Sequence, residues 1–144
     1  MTIRINSENR NKKRKIDLSK AEKVAKIVLK AHKKNSVELN IIFVSNQKIR
    51  ALNRMWFGKD VSTDVIAWPA GDKGSFLGDI AISSDMAAKN TKVYDLSFKE
   101  ELALYVIHGT LHLLGYNDTT VQGRTKMRRK EDGLLQESKK LLRR

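Results

Sequence analysis

Ser97-Phe98-Lys99-Glu100-Glu101-Leu102-Ala103-Leu104-Tyr105-Val106-Ile107-His108-Gly109-Thr110-Leu111-His112-Leu113-Leu114-Gly115-Tyr116-Asn117-Asp118 organises the chain around one helix. Ser97 and Glu100 form a Ser-x-x-Glu capping box, in which a hydroxyl and a carboxylate satisfy free amides of the first turn. Leu102, Ala103, Leu104, Val106, Ile107, Leu111, Leu113 and Leu114 then make the helix apolar on most faces. Such a pattern belongs to an element buried within a core. Gly115, which readily takes a left-handed conformation, ends it.

Two residues of this helix do not fit a purely apolar role. His108 and His112 are four apart, so their side chains share a face about 5–6 Å apart, and two imidazoles can converge on one cation. They are two of the three histidines in the chain, and buried imidazoles need partners. Past the Gly115 stop the chain can fold back and bring Asp118 towards the same point. Two His and a carboxylate, with one position open, describe a catalytic zinc site. The chain has no cysteine, which leaves His and carboxylate as its metal ligands. The expected cofactor is one Zn2+ per chain, held by His108, His112 and Asp118. Gly109 stands where the His-Glu-x-x-His motif of metallopeptidases carries its general base, which argues against peptide hydrolysis.

The remaining elements read outward from this helix. Residues 2–5 alternate as a short strand. Ser19-Lys20-Ala21-Glu22 is a second capping box, opening a helix whose apolar positions Ala21, Val24, Ala25, Ile27, Val28 and Ala31 keep helical period to about Lys34. Residues 37–44 are the best strand, first alternating and then fully apolar. A helix starting after Ser45 carries Ile49, Leu52 and Met55 inward. Residues 57–64 read as a polar loop, 65–68 as a strand stopped by Pro69, 71–74 as a Gly-Asp-Lys-Gly loop and 78–82 as another strand. A short helix covers 85–90, and a very basic one runs from about 120 to 142. This is a mixed α+β domain, about four strands in a mixed sheet packed with four to six helices, with the His pair at the sheet's edge.

With 144 residues the chain fits one domain. Its formal charge is +13, from 29 Lys and Arg against 16 Asp and Glu. The excess concentrates in Arg10-Asn11-Lys12-Lys13-Arg14-Lys15 and in the last helix. That points to a polyanionic partner, nucleic acid in preference to a membrane. No apolar run approaches a membrane span, and residues 1–6 lack the core of a signal peptide, so a cytoplasmic protein is expected. His32, at the end of the first long helix, is expected to be exposed and without chemistry. Trp68 is expected in the core, Asp64 and Asp79 in loop hydrogen bonding, and Trp56 either way, since an aromatic beside a groove can stack a nucleobase.

These segments together resemble the YbeY family of metal-dependent endoribonucleases. The family signature His-Gly-x-Leu-His-Leu-x-Gly-Tyr-Asp-His is matched by His108-Gly109-Thr110-Leu111-His112-Leu113-Leu114-Gly115-Tyr116. Its segment Leu-Asn-x-x-Tyr-Arg-x-Lys-Asp-x-Pro-Thr-Asp-Val-Leu-Ser-Phe-Pro is matched at Leu52, Asn53, Lys59, Asp60, Thr63, Asp64, Val65 and Pro69, and its Gly-Asp-Ile strand at Gly78-Asp79-Ile80. The resemblance covers nearly the whole chain. It implies a zinc-hydrolase-like domain over residues 1–144 and a zinc-dependent single-strand endoribonuclease. Such an enzyme acts in ribosomal RNA maturation and ribosome quality control, with ribosomal RNA or the small ribosomal subunit as partner. His108 and His112 would be catalytic through a metal-bound water, either as a hydroxide nucleophile or by activation of a ribose 2′-hydroxyl.

The chain departs from the family pattern at three places. The family's third ligating His is Asp118, and the Asp before it is Asn117. The family's Tyr-Arg pair is Trp56-Phe57, so the guanidinium that the family offers to the RNA phosphate is missing. Lys59 remains as a point charge and Trp56 as a stacking surface. An alternative follows from that loss: a ribosome- or RNA-binding factor in which the metal is structural and catalysis weak or lost.

Overall fold

The computed structural model of the chain describes residues 2–71 and 74–143. Strands β1 (Ile3–Asn9), β2 (Val37–Val44), β3 (Val65–Pro69) and β4 (Phe76–Ser83) form one sheet in the order β1-β2-β4-β3. The first three in that order run parallel and β3 pairs antiparallel with β4, as the outer strand. Helices α1 (Leu18–Ala31), α2 (Asn46–Phe57), α3 (Ser84–Asn90), α4 (Phe98–Leu113) and α5 (Val121–Leu142) complete an α+β domain. Of the expected 71–74 loop, Asp72 and Lys73 lie outside the described residues.

One sheet face carries the main core. Leu39, Ile41, Phe43, Ile80 and Ile82 meet Val24, Val28 and Leu29 of α1 and Leu102, Val106, Ile107 and Leu111 of α4. Each such side chain contributes about 1.5–3 kcal/mol on burial, so this layer dominates the fold. Helix α4 is buried on nearly all sides, as its composition demands, and the Ser97–Glu100 capping box forms at its start. Its close seat on the sheet depends on Gly109. A Cβ there would meet Ile80 Cγ2 at 2.7 Å and Val65 Cγ2 at 3.2 Å. The absent side chain therefore lets the helix carry the His pair down to the β3 edge.

The opposite face is only partly covered. Val44, Ile66 and Ala81 pack with Ile49 of α2, joined by the partly buried Ile42, Leu52 and Trp68; Asn6, Asn40 and Asp79 add a polar strip to that face. Because successive strand side chains alternate faces, the register brings Asn6, Asn40, Asp79 and Trp68 into one row across all four strands.

Several local expectations change. Strand β1 continues to Asn9 because its polar residues face the open side and Ser7 bonds the Glu22 carboxylate. Glu22 is thereby diverted from a capping box, and Asp17 caps α1 instead, accepting from the Lys20 amide at 3.1 Å. Helix α1 ends at Ala31, three residues short of Lys34. In α2 Met55 points to solvent, 74% exposed, and Asn53 turns inward instead, donating to the Val61 carbonyl at 3.1 Å. That bond ties down the following loop. The basic run at 10–15 is not a free polycation. Arg10 pairs with Glu8 at 3.0 Å and Arg14 with Asp85 at 3.1 Å, while Asn11 is buried against Ser84. The hydrogen bonds that Asp85 accepts from Asn46, Asn11 and Arg14 outweigh its burial and hold its carboxyl below the usual range.

Candidate metal centre

The centre is built by the end of α4, the loop after it and the first half of α5. Helical spacing puts the two imidazoles side by side, with ring centroids 4.7 Å apart and Nε2 of His112 3.1 Å from Nε2 of His108. The chain turns at Gly115, which has φ 99°, and returns Asp118 to the same point. Its Oδ2 lies 3.4 Å from His112 Nε2 and 3.9 Å from His108 Nε2. The three donor atoms fall within 4.8 Å of one another and can hold a metal ion.

The donor set suits zinc in dimension and in chemistry. A tetrahedral ion with ligands at about 2.0–2.2 Å separates them by about 3.4 Å along each edge, close to the spacings found. His108 Nδ1 lies 2.5 Å from Glu131 Oε1 of α5. A carboxylate only accepts, so His108 carries its proton on Nδ1 and turns the lone pair of Nε2 towards the common point. Burial alone would depress the His108 imidazolium, but the Glu131 carboxylate outweighs it and holds the group above the usual imidazole range. For His112, burial together with the charge of a protonated His108 outweighs the Asp118 carboxylate and pushes the group below that range.

Two further contacts fix the loop that carries Asp118. His32 is the C-cap of α1 and is partly buried, contrary to expectation. Its Nδ1 lies 2.8 Å from the Val28 carbonyl and its Nε2 2.7 Å from the Tyr116 hydroxyl. Nδ1–H therefore donates to the carbonyl, and Nε2 accepts from the phenol. The first turn of α5 also presses on the loop. A Cβ at Gly123 would collide with the Asn117 carbonyl, and only glycine permits this approach.

His112 also lines a cavity of about 580 Å³ with Asn53, Phe57, Lys59, Ser62, Thr63 and the β3 residues Val65, Ala67 and Pro69. The structure thus brings Lys59, and Phe57 at the position of the missing guanidinium, to the cavity beside the three donors. Arg50 of α2 is held bidentately by Asp60 at 2.9 and 3.2 Å. Asp64 accepts from the Val65 amide at 2.8 Å, a loop role as expected. Trp56 does not join this cavity. It is 60% exposed and lines a separate groove with Trp68 on the open sheet face. Asp79 lies in that groove too, bonded to Asn40 at 2.9 Å.

The family described as Endoribonuclease YbeY matches residues 6–139. The chain belongs to the YbeY family of endoribonucleases. An Endoribonuclease YbeY from Aquifex aeolicus is 40% identical over 109 residues, covering 74% of this chain and 73% of that protein. One from Anaeromyxobacter sp. is 37% identical over 137 residues, covering 91% and 69%. The solution structure of a Thermotoga maritima protein superposes with a TM-score of 0.69 at 26% identity, covering 99% of this chain and 92% of that one.

Within this YbeY chain, Glu131 is the site residue that sequence reasoning missed. The signal was present: Met127, Glu131, Leu134, Leu135 and Ser138 mark the inward stripe of α5, and all but Glu131 are buried outright. A single acid on the apolar stripe of an otherwise basic helix needs a partner inside. Among the described residues no helix is long and apolar enough to cross a membrane.

Proposed function

We propose that this chain is a zinc-dependent endoribonuclease that cleaves single-stranded RNA during ribosomal RNA maturation and ribosome quality control in the cytoplasm. The ribosomal RNA of the small subunit is its partner. The observation that carries the reading is the meeting of His108, His112 and Asp118 at the mouth of the Lys59-lined cavity. Membership of the YbeY family supports it further.

A bound ion in this centre supplies Lewis acidity to a phosphoryl oxygen and lowers the pKa of a coordinated water. The chain's own residues do the rest. Glu131 holds the His108 proton at Nδ1 and keeps the ring in its binding orientation. Lys59 offers a positive charge to the phosphodiester at the cavity wall, as a point charge without the two-pronged fit of a guanidinium. The apolar β3 wall of Val65, Ile66 and Ala67 limits water beside the reacting phosphate. Arg124, Lys126, Arg128, Arg129 and Lys130 of α5 are exposed, and they extend a basic surface for the backbone from the centre outward.

Phe57 favours a second reading, an RNA-binding factor whose metal is structural. Single-turnover cleavage of one RNA by wild type, His108→Ala and Phe57→Arg, each with its zinc content measured, tests the two together. Zinc-dependent cleavage lost in His108→Ala is the expected result. A preorganised charged donor is worth about 10²–10³ in rate, and an unsupported graft at Phe57 should gain less than that. No cleavage by wild type or Phe57→Arg, with zinc bound, would replace the nuclease reading by the second.

A further inference from the structure

The open sheet face holds a second site unrelated to the metal donors. The register row Asn6, Asn40, Asp79 and Trp68 forms the floor of a groove of about 500 Å³. Asn6 donates to Asn40 at 2.8 Å, and Asn40 donates to Asp79 Oδ1 at 2.9 Å. The two amides are thus locked in one sense, and the row ends in a carboxylate with Oδ2 outside these hydrogen bonds. Beside it stand two indoles, Trp56 against Trp68, with centroids 6.0 Å apart at 69°. Among the described residues, Nε1 of Trp68 is the one buried side-chain polar atom without a hydrogen-bond partner. An aromatic surface and a free carboxylate edge meet in one groove of a strongly basic protein.

We propose that this groove is a base-binding subsite for single-stranded RNA, selective for guanine. It rests on the endoribonuclease reading above and adds to it a place for a base away from the scissile phosphate. The exposed Trp56 ring supplies a stacking surface, which any base can use. Asp79 supplies the selectivity. A carboxylate only accepts hydrogen bonds, and guanine is the base whose N1–H and N2–H donate side by side. Adenine and cytosine set a donor beside an acceptor, which Asp79 would repel. Arg10 on the rim is paired with Glu8, so the groove itself presents acceptors rather than a phosphate site.

The path between the two sites is short. Trp56 and Phe57 are consecutive, yet the first lines the groove and the second the metal cavity. Strand β3 repeats this, with Trp68 facing the groove while Ala67 and Pro69 line the cavity. One outer strand therefore separates them, and an RNA with its phosphate in the cavity can cross that edge and lay a neighbouring base on Trp56.

The test is equilibrium binding of a short 2′-O-methyl single-stranded oligonucleotide containing one guanosine, and of its inosine counterpart, to zinc-loaded protein. Inosine keeps the ring and N1–H but lacks the exocyclic amine. Wild type should prefer guanosine, and indole fluorescence should be quenched on binding. Trp56→Ala, at an exposed position, should weaken both oligonucleotides about tenfold. Asp79→Asn should erase the guanosine preference while leaving Trp56 quenching in place. Unchanged affinity in a folded Trp56→Ala, or a guanosine preference that survives Asp79→Asn, would overturn the proposal. If wild-type protein fails to cleave RNA but shows the preference and its loss in Asp79→Asn, the subsite stands and the nuclease reading falls.

Discussion

Glu131 offers the most direct test of how the centre is held. It reaches from α5 to His108 Nδ1 at 2.5 Å, and its side chain is 16% exposed against 26% for that of His108. A charge-assisted hydrogen bond so sheltered from water is strong. Loss of such an outer partner typically costs 10–100-fold in metal affinity. At about 1.4 kcal/mol per factor of ten, that is about 1.4–2.8 kcal/mol. Glu131→Gln keeps an acceptor for Nδ1–H but removes the charge, and should fall near tenfold. Glu131→Ala leaves the ring free to turn and its proton free to move to Nε2, and should approach 100-fold. The assay is competition for zinc against a chromophoric chelator at fixed pH, using protein first stripped of metal. Thermal melts of the metal-free variants confirm folding. Nitrogen-15 shifts of His108 report the tautomer directly, with Nδ1 protonated in wild type and a mixture in Glu131→Ala. A folded Glu131→Ala that binds zinc within twofold of wild type and keeps the wild-type tautomer would refute the reasoning.

Gly109→Ala should destabilise the fold by about 1–2 kcal/mol, because overpacking against Ile80 and Val65 costs about 1–3 kcal/mol and alanine's helix propensity returns up to about 1 kcal/mol; a melt at or above wild type would contradict the close seat of α4. Gly123→Ala should push the Asn117 carbonyl away and move Asp118, so zinc affinity should fall more than in an exposed control such as Gly133→Ala, and equal losses in the two would count against it. Burial lifts the Glu101 carboxyl above its ordinary 4.5 despite the Tyr105 hydrogen bond, so its favourable contribution is complete below pH 4.5 and is lost as pH rises through the folded value. Glu101→Gln should therefore match wild type near pH 4 and exceed it in denaturant midpoint at neutral pH; a gap independent of pH would exclude this origin. RNA affinity should fall steeply with salt, and replacing Arg128 and Arg129 by Gln should flatten the slope of log K by about 0.7 for each phosphate that the two arginines neutralise. A slope untouched by the double change would remove α5 from the interface.

What the sequence allowed one to read follows from the range of each interaction. The α4 core, both helical imidazoles and the 37–44 strand are set by period and by neighbours within a turn or two, so local pattern was sufficient. The same local logic failed at Ser19 and Glu22, where a valid capping-box pattern lost to a partner 15 residues away, the Ser7 hydroxyl on β1. Helical period also put Met55 inward, although α2 covers only the part of its sheet face near Val44, Ile66 and Ala81, and Met55 lies on the helix's solvent side. Glu131 and His32 escaped notice because their partners lie 23 and 84 residues distant, and the basic residues around both suggested solvated surface. These two misreadings share a physical cause. Charge density along a helix describes the side that faces water, whereas a single inward residue among cations answers to whatever the core presents. To α5 the core presents Nδ1 of His108. The one carboxylate on the inward stripe is therefore placed by the centre it supports, and the basic residues around it follow from the helix's other face.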